Sequence, residues 1–256
     1  MFTKLTKKRK NILKIAIAII LAIAICFTIP VHIEQYYCSQ MLKAIEKNDM
    51  EKLRSAMEKG NPNSVLGIQW LEQFFIEWSR RTPLQEACRI GTFEMVKLLV
   101  EGGADVNYYP VNSEASALYF AARSEWPESL DKVRYLIKNG AVAVYPNPVD
   151  YLLSDIDSAS DGVELLRELV AVGYEIDDDH LSEACLWKYE EIIRFFVEEC
   201  DYDASNPEFL RAYCNNRKDD YSYETFEYFL ESGANPYADV RNGKCAMDYL
   251  RENSPE

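Results

Sequence analysis

The chain has 256 residues, of which 27% are charged and 48% hydrophobic, with a formal charge of −14, seven cysteines and two histidines. His32 and His180 leave almost no material for a histidine-based triad or a His-rich metal site. The acid excess argues against binding to a phosphate backbone, which needs clustered Lys and Arg.

Lys4, Lys7, Lys8, Arg9, Lys10 and Lys14 make a basic tail over residues 1–14, and an uncharged apolar run of 17 residues follows over 15–31. That length is at the short end of what spans a hydrocarbon core of about 30 Å, and Lys14 can extend it by snorkelling. The run predicts one transmembrane helix. Basic flanks stay in the cytoplasm, so the N-terminus is expected inside and the repeat domain outside the cytoplasm, which is the periplasm if the cell is Gram-negative. A cleaved signal peptide has the same charged and apolar layout. The stretch AICFTIPVHIE offers no small-x-small cleavage site, and Ile25 before Cys26 suits lipoprotein processing poorly. Both points favour an uncleaved signal-anchor. All 42 acidic residues lie beyond residue 33, with 22 of the 28 basic ones, so the remainder carries a formal charge of −20. Such a surface suits a basic protein or a divalent cation, or it simply keeps the domain soluble.

From residue 36 the pattern becomes helical. Met41, Leu42, Ala44 and Ile45 precede the sequence AMEKGNPN around Gly60, which ends a first unit at about 36–64. An insertion over 65–80 follows, in which Leu71, Phe74, Phe75 and Trp78 fall at i, i+3, i+4 and i+7, with Trp70 beside them. Its apolar stripe fits a lid on the first unit, a partner-binding patch of Trp70, Phe74, Phe75 and Trp78, or an interfacial membrane contact.

Residues 82–107 read TPLQEACRIGTFEMVKLLVEGGADVN. Pro83 suits a first helical turn, where its missing N–H would have been unpaired, and Thr82 can cap the free amides. Leu84, Ala87 and Cys88, then Met95, Val96, Leu98 and Leu99, keep helical spacing on either side of Gly91. Gly103 follows the second helix, where a left-handed residue normally ends one.

This segment resembles one complete ankyrin repeat, which opens Thr-Pro-Leu-His and closes Leu-Leu-Glu-x-Gly-Ala-Asp-Val-Asn, with Gln85 in place of the histidine. The chain as a whole is similar to membrane-anchored ankyrin-repeat proteins of bacterial type. One helical hairpin cannot bury its apolar face alone, so such units must recur and stack. The closing signature returns as LIKNGAVAV around Gly140, LVAVGYEID around Gly173, FVEECDYDA around Cys200 and FLESGANPY around Gly233. From Gly60 onward the spacings are 43, 37, 33, 27 and 33 residues, scattered about the period of roughly 33 expected for such repeats. The first-helix partners are Leu118, Ala121 and Ala122; Leu181, Ala184 and Cys185; and Phe209, Ala212 and Tyr213. Six units are expected, at about 36–64, 82–109, 115–143, 147–177, 179–204 and 206–237, with a capping helix over 241–253. The fourth unit keeps apolar spacing at Pro148, Val149, Tyr151, Leu152 and Leu153 but lacks small alanines. Cys200 departs from the helix-ending glycine. The implied fold class is all-α: an ankyrin-repeat solenoid of stacked helix-turn-helix units with hairpin fingers over 36–256, preceded by one transmembrane helix.

Cys88 and Cys185 take the same small, core-facing place in their first helices, Cys26 lies in the apolar run, and Cys245 opens the cap. Cys38, Cys200 and Cys214 are less constrained, which leaves a bridge among them open. Asp177, Asp178 and Asp179 lack the alternating ligands and glycine of a calcium loop, and no Gly-rich phosphate loop or G-x-S-x-G elbow occurs. No catalytic residue, metal, cofactor, nucleic acid or small-molecule substrate is therefore expected.

The resemblance implies binding of a protein partner through finger tips and the exposed side of the inner helices. The matching positions are Arg81, Arg89 and Ile90 in the second unit, Arg123 and Ser124 in the third, and Leu186 and Trp187 in the fifth, with Tyr108 and Tyr109 on the second finger. Arg, Trp and Tyr are enriched among hot spots; Trp187 and the tyrosines could equally pack between neighbouring units. Arg89 and Arg123 are expected to hold an acidic group of the partner. Two roles follow by analogy of architecture: an immunity protein that neutralises a cognate toxin, or a scaffold or chaperone-like partner of an envelope enzyme.

Overall fold

The computed structural model describes residues 7–66, 81–108, 110, 115–124, 128–155, 159–214, 222–241 and 243–253. The chain divides into two compact units, residues 1–113 and 114–256.

The first unit holds four helices, α1 (Lys7–Glu46), α2 (Met50–Met57), α3 (Pro83–Ile90) and α4 (Phe93–Glu101). Asn48 turns the chain between α1 and α2 with φ 51°, and Asp49 caps α2 by accepting from the Lys52 amide at 3.0 Å. Thr82 starts α3 as expected. Its hydroxyl accepts from the Gln85 amide at 3.1 Å, and the Gln85 side chain accepts from the Thr82 amide at 2.8 Å, a reciprocal cap that uses two free donors. Gln85 is fully buried, so the residue that replaces histidine is a structural cap. Gly91 is required by close approach, because a Cβ there would lie 2.9 Å from the Ala87 backbone. The two helical hairpins stack with α1 against α3 and α2 against α4. Cys38, Met41, Ala44 and Ile45 of α1, Leu53 and Ala56 of α2, Leu84, Ala87 and Cys88 of α3 and Met95, Val96 and Leu99 of α4 fill the core between them.

The N-terminal run does not form a separate helix. It is the first part of α1, which continues past Pro30 into the first repeat. Among the described residues no helix is long and apolar enough to cross a membrane. Side chains 20–27, the middle of the run, lie outside those residues, and Ile15, Ile17, Ile19, Ile29, Val31 and Ile33 are all exposed.

The second unit continues the same alternation with α5 (Ala117–Ala122), α6 (Ser129–Lys138), α7 (Val149–Asp155), α8 (Ala159–Ala171), α9 (Asp178–Trp187), α10 (Glu190–Glu198), α11 (Pro207–Cys214), α12 (Tyr223–Glu231) and α13 (Ala246–Asn253). Inner helices pack in sequence, α7 on α9 on α11, and outer helices likewise, α6 on α8 on α10. The fourth hairpin is formed despite its missing alanines: Val149, Leu152 and Leu153 of α7 and Leu165, Leu166 and Leu169 of α8 are buried. A cross-repeat ladder follows the outer helices. Arg134 of α6 donates to Glu164 and Glu168 of α8 at 2.9 and 2.8 Å, Arg167 of α8 to Glu199 of α10 at 2.8 Å, and the Arg194 guanidinium of α10 lies 4.3 Å from the Tyr228 ring centroid of α12.

Gly103, Gly140, Gly173 and Gly233 all end their helices with positive φ, as the spacing requires. At the irregular site Asp201 takes the left-handed conformation, φ 60°, one residue after Cys200, and the turn closes through the Tyr202 amide on the Phe196 carbonyl at 3.2 Å. The extra residue therefore displaces the turn and leaves the repeat intact. The hairpin fingers expected throughout are a correction. Among the described residues one strand pair exists, β1 (Asp239–Arg241) antiparallel to β2 (Lys244–Cys245), just before the cap α13. Other fingers are turns held by side chains of a neighbouring finger. Asn63 Nδ2 donates to the Gly103 carbonyl at 3.1 Å while its Oδ1 accepts from the Asp105 amide at 2.8 Å, and Asn147 Nδ2 donates to the Glu175 carbonyl at 2.7 Å. These bonds satisfy the backbone without ladder pairing.

No bridge joins Cys38, Cys200 and Cys214: none of the three is disulfide-bonded, and neither are Cys88, Cys185 and Cys245. Cys38 and Cys214 face the cores of their own units, and burial pushes each thiol up to about 12. Cys185 is raised for the same reason. A thiol reagent at pH 8 will label Cys200 and Cys245, the partly exposed pair, and will reach Cys38, Cys88, Cys185 and Cys214 only on unfolding; mass spectrometry of labelled peptides reads this out. Phe196→Ala, at a fully buried site, will destabilise the chain by about 3–5 kcal/mol in urea unfolding. Arg167→Ala removes an exposed ion pair and will shift the midpoint far less.

Candidate protein-binding site

In the first unit the site residues gather around one carboxylate. Glu86 lies in the first turn of α3 and is 6% exposed. Arg81, just before the helix, donates from Nε to Glu86 Oε2 at 2.7 Å, and Arg89, one turn further on, donates from Nη2 to Oε1 at 2.6 Å. Burial by itself would raise the Glu86 carboxyl, but the Arg89 hydrogen bond and the charges of Arg81 and Arg89 outweigh it and hold the group below its ordinary range. The two arginines were expected to face a partner; both already serve this internal acid. The cluster carries a net charge of +1, and an incoming carboxylate would share the arginines with Glu86. Ile90, at the end of α3, is half-buried. Tyr108 closes the finger turn through its amide on the Asp105 carbonyl at 3.1 Å and is half-buried, while Tyr109 lies outside the described residues, as do Trp70, Phe74, Phe75 and Trp78.

In the second unit Arg123 caps the C-terminus of α5. Its guanidinium donates to the Tyr119 hydroxyl at 2.7 Å and lies 5.5 Å from that ring's centroid, so the exposed cation rests on a buried tyrosine of its own helix. Ser124 donates to the Ala121 carbonyl at 3.1 Å. Leu186 and Trp187 end the inner helix α9 and are 42% and 52% exposed. Packing of Trp187 between units, the alternative to a contact role, does not bury it. Lys188 follows in the left-handed conformation, φ 57°, and caps the C-terminus of the helix immediately after Trp187.

Two finger residues escaped the sequence reading. Tyr145 is 86% exposed and Tyr237 is 73% exposed, the first flanked by the exposed Val142 and Val144. Tyr145–Pro146 repeats the Tyr109–Pro110 dipeptide of the second finger, a signal that would have found it. Glu86 was missed because an acid in a helical first turn reads as a solvated residue. His180 is likewise structural. It is 4% exposed, takes part in the α9 cap with Asp177, and places Nε2 3.0 Å from Asp150 Oδ1 of α7. Asp177 is committed to that cap, its Oδ1 accepting from the His180 amide at 3.1 Å. Among the described residues no group of His, Cys, Asp and Glu side chains could hold a metal ion.

Helical hairpins stacked inner on inner and outer on outer, with glycine-ended outer helices and cross-linked fingers, define the ankyrin class of repeat protein. Residues 41–147 match the family model for ankyrin repeats in three copies. The fold extends further: the structure is similar to the crystal structure of the human ASB11 ankyrin repeat domain, with a TM-score of 0.59 and 21% identity over 84% of this chain and 98% of that one. No curated protein matches the sequence. Ankyrin repeats are protein–protein interaction modules, and the family is typically non-catalytic.

Because Glu86 has a lowered carboxyl, its pairing stabilises the fold above the unfolded value of about 4.3 and that contribution is lost as pH falls through the folded value. Glu86→Gln will cost about 1.5–3 kcal/mol near pH 7 and will flatten the acid side of the stability profile, measured by urea unfolding from pH 3 to pH 7.

Proposed function

We propose that the chain is a membrane-tethered protein-binding module that acts without chemistry of its own. The observation that carries the binding reading is the exposed Leu186–Trp187 pair at the end of α9. A large apolar ring beside a second apolar side chain, rigidly placed by a helix end, is the kind of anchor that dominates binding energy when a partner covers it. The exposed tyrosines of two fingers extend the same type of surface. The tether reading rests on the basic tail and on the row of exposed isoleucines in α1, which only lipid or another apolar phase would cover. In that reading the N-terminus is cytoplasmic and the repeats are extracytoplasmic.

The formal charge of −20 beyond the N-terminal segment favours a basic partner by steering and complementarity. Neutralisation of a basic toxin, as an immunity protein does, is the biological role this charge supports best; a scaffold for an envelope enzyme is the second. Affinity capture from native membranes with the full chain as bait tests the site. Trp187→Ala will weaken the captured partner by about 2 kcal/mol, roughly 30-fold in Kd, with the unfolding midpoint unchanged. Equal affinity of both baits would remove the α9 end from the site, and an Arg89→Glu, Arg123→Glu variant then asks whether the cationic positions carry it. Loss of activity of a co-expressed toxin supports immunity, whereas a partner present in every growth condition supports the scaffold.

A further inference from the structure

We infer that α1 is a rigid strut that seats the first repeat on the lipid headgroup layer, an inference that rests on the tether reading above. The apolar run ends at Val31, and only three residues later α1 is bonded to the loop of the first repeat. Ser64 Oγ donates to Glu34 Oε1 at 2.8 Å, Gln35 Nε2 donates to the Val65 carbonyl at 2.9 Å, and Cys38 Sγ donates to the Ser64 carbonyl at 3.4 Å. The backbone between is helical throughout, since α1 runs from Lys7 to Glu46.

At 1.5 Å per residue, Val31 and Glu34 are about 4.5 Å apart along the axis. The headgroup layer on each side of the hydrocarbon core is itself roughly 5–7 Å deep. The loop 61–65, bonded to this turn of α1, therefore lies at headgroup depth, with no flexible linker to lift it away. Tyr36, 58% exposed on the same turn, falls where tyrosines of the aromatic belt sit. A helix buried in the core of the repeat at Cys38, Met41, Ala44 and Ile45 cannot swivel independently of that repeat. The surface that the first repeat turns toward the bilayer is thus closed to freely diffusing proteins. The partner class that fits is a protein inserted in, or lying on, the same membrane.

The test places the full chain in vesicles of phosphatidylcholine and phosphatidylglycerol doped with a nitroxide-headgroup lipid. Cys26, Cys200 and Cys245 are replaced by Ser, and a fluorophore is attached at Tyr36→Cys or, about 22 Å beyond Val31 along the helix, at Glu46→Cys. Quenching is expected at 36 and absent at 46, and a Gly-Ser linker inserted between Ile33 and Glu34 should abolish it at 36. Circular dichroism checks that the linker variant keeps its helices; if it does not, the 36 and 46 labels in the unmodified helix carry the test. A chain that floats with the vesicles but shows no quenching at 36, or equal quenching with the linker, overturns the strut and leaves the tether standing. A chain that does not float with the vesicles overturns both.

Discussion

Everything in this molecule depends on the inability of a two-helix unit to bury its own apolar face. Each hairpin covers one side of its neighbour, so core residues such as Leu53, Leu99, Leu166 and Phe196 are dry only because another hairpin lies against them. Within each unit the inner helices must therefore approach closely, which explains the small residues Ala87, Cys88, Ala184 and Cys185 on their facing sides. The outer helices are longer-range partners and meet through arginine–glutamate pairs and an arginine over a tyrosine ring. Those exposed pairs set register more than they add stability.

The stacking also decides which chemistry reaches the surface. Leu186 and Trp187 end an inner helix and remain exposed although both are apolar, whereas Ala122 and Cys214, which end α5 and α11, are buried. One polar residue of an inner helix suffers the opposite fate. Glu86 is enclosed, and a buried carboxylate has to be paired, which is why two arginines converge on it. The apparent excess of cationic candidates on an acidic domain is in this sense partly internal compensation.

At the N-terminal end the first repeat is built on the helix that also carries the apolar segment. Because α1 supplies the core of the first repeat from the helix that carries the isoleucine row, the exposed apolar row and the repeat core share one element. Any force or displacement transmitted along that helix arrives directly at the repeat core, without a linker to absorb it.

Local chemistry was enough to read the repeats. Helix starts at Thr82 and ends at Gly103, Gly140, Gly173 and Gly233 follow from capping and from the cost of positive φ, which act within a few residues and so are written in order along the chain. The same is true of the spacing of buried positions, and it extended to the fourth hairpin even without its alanines. What the sequence could not decide were contacts between residues far apart in the chain. The displacement of the turn to Asp201, the bonding of fingers by asparagine side chains in place of strand ladders, the enclosure of Glu86 and the free state of the thiols all depend on what the neighbouring hairpin presents. The sequence by itself determined the repeating unit, because propensity and periodicity are local; tertiary structure alone decided which polar groups are spent inside and which side chains are left for a partner, because burial is a property of the stack.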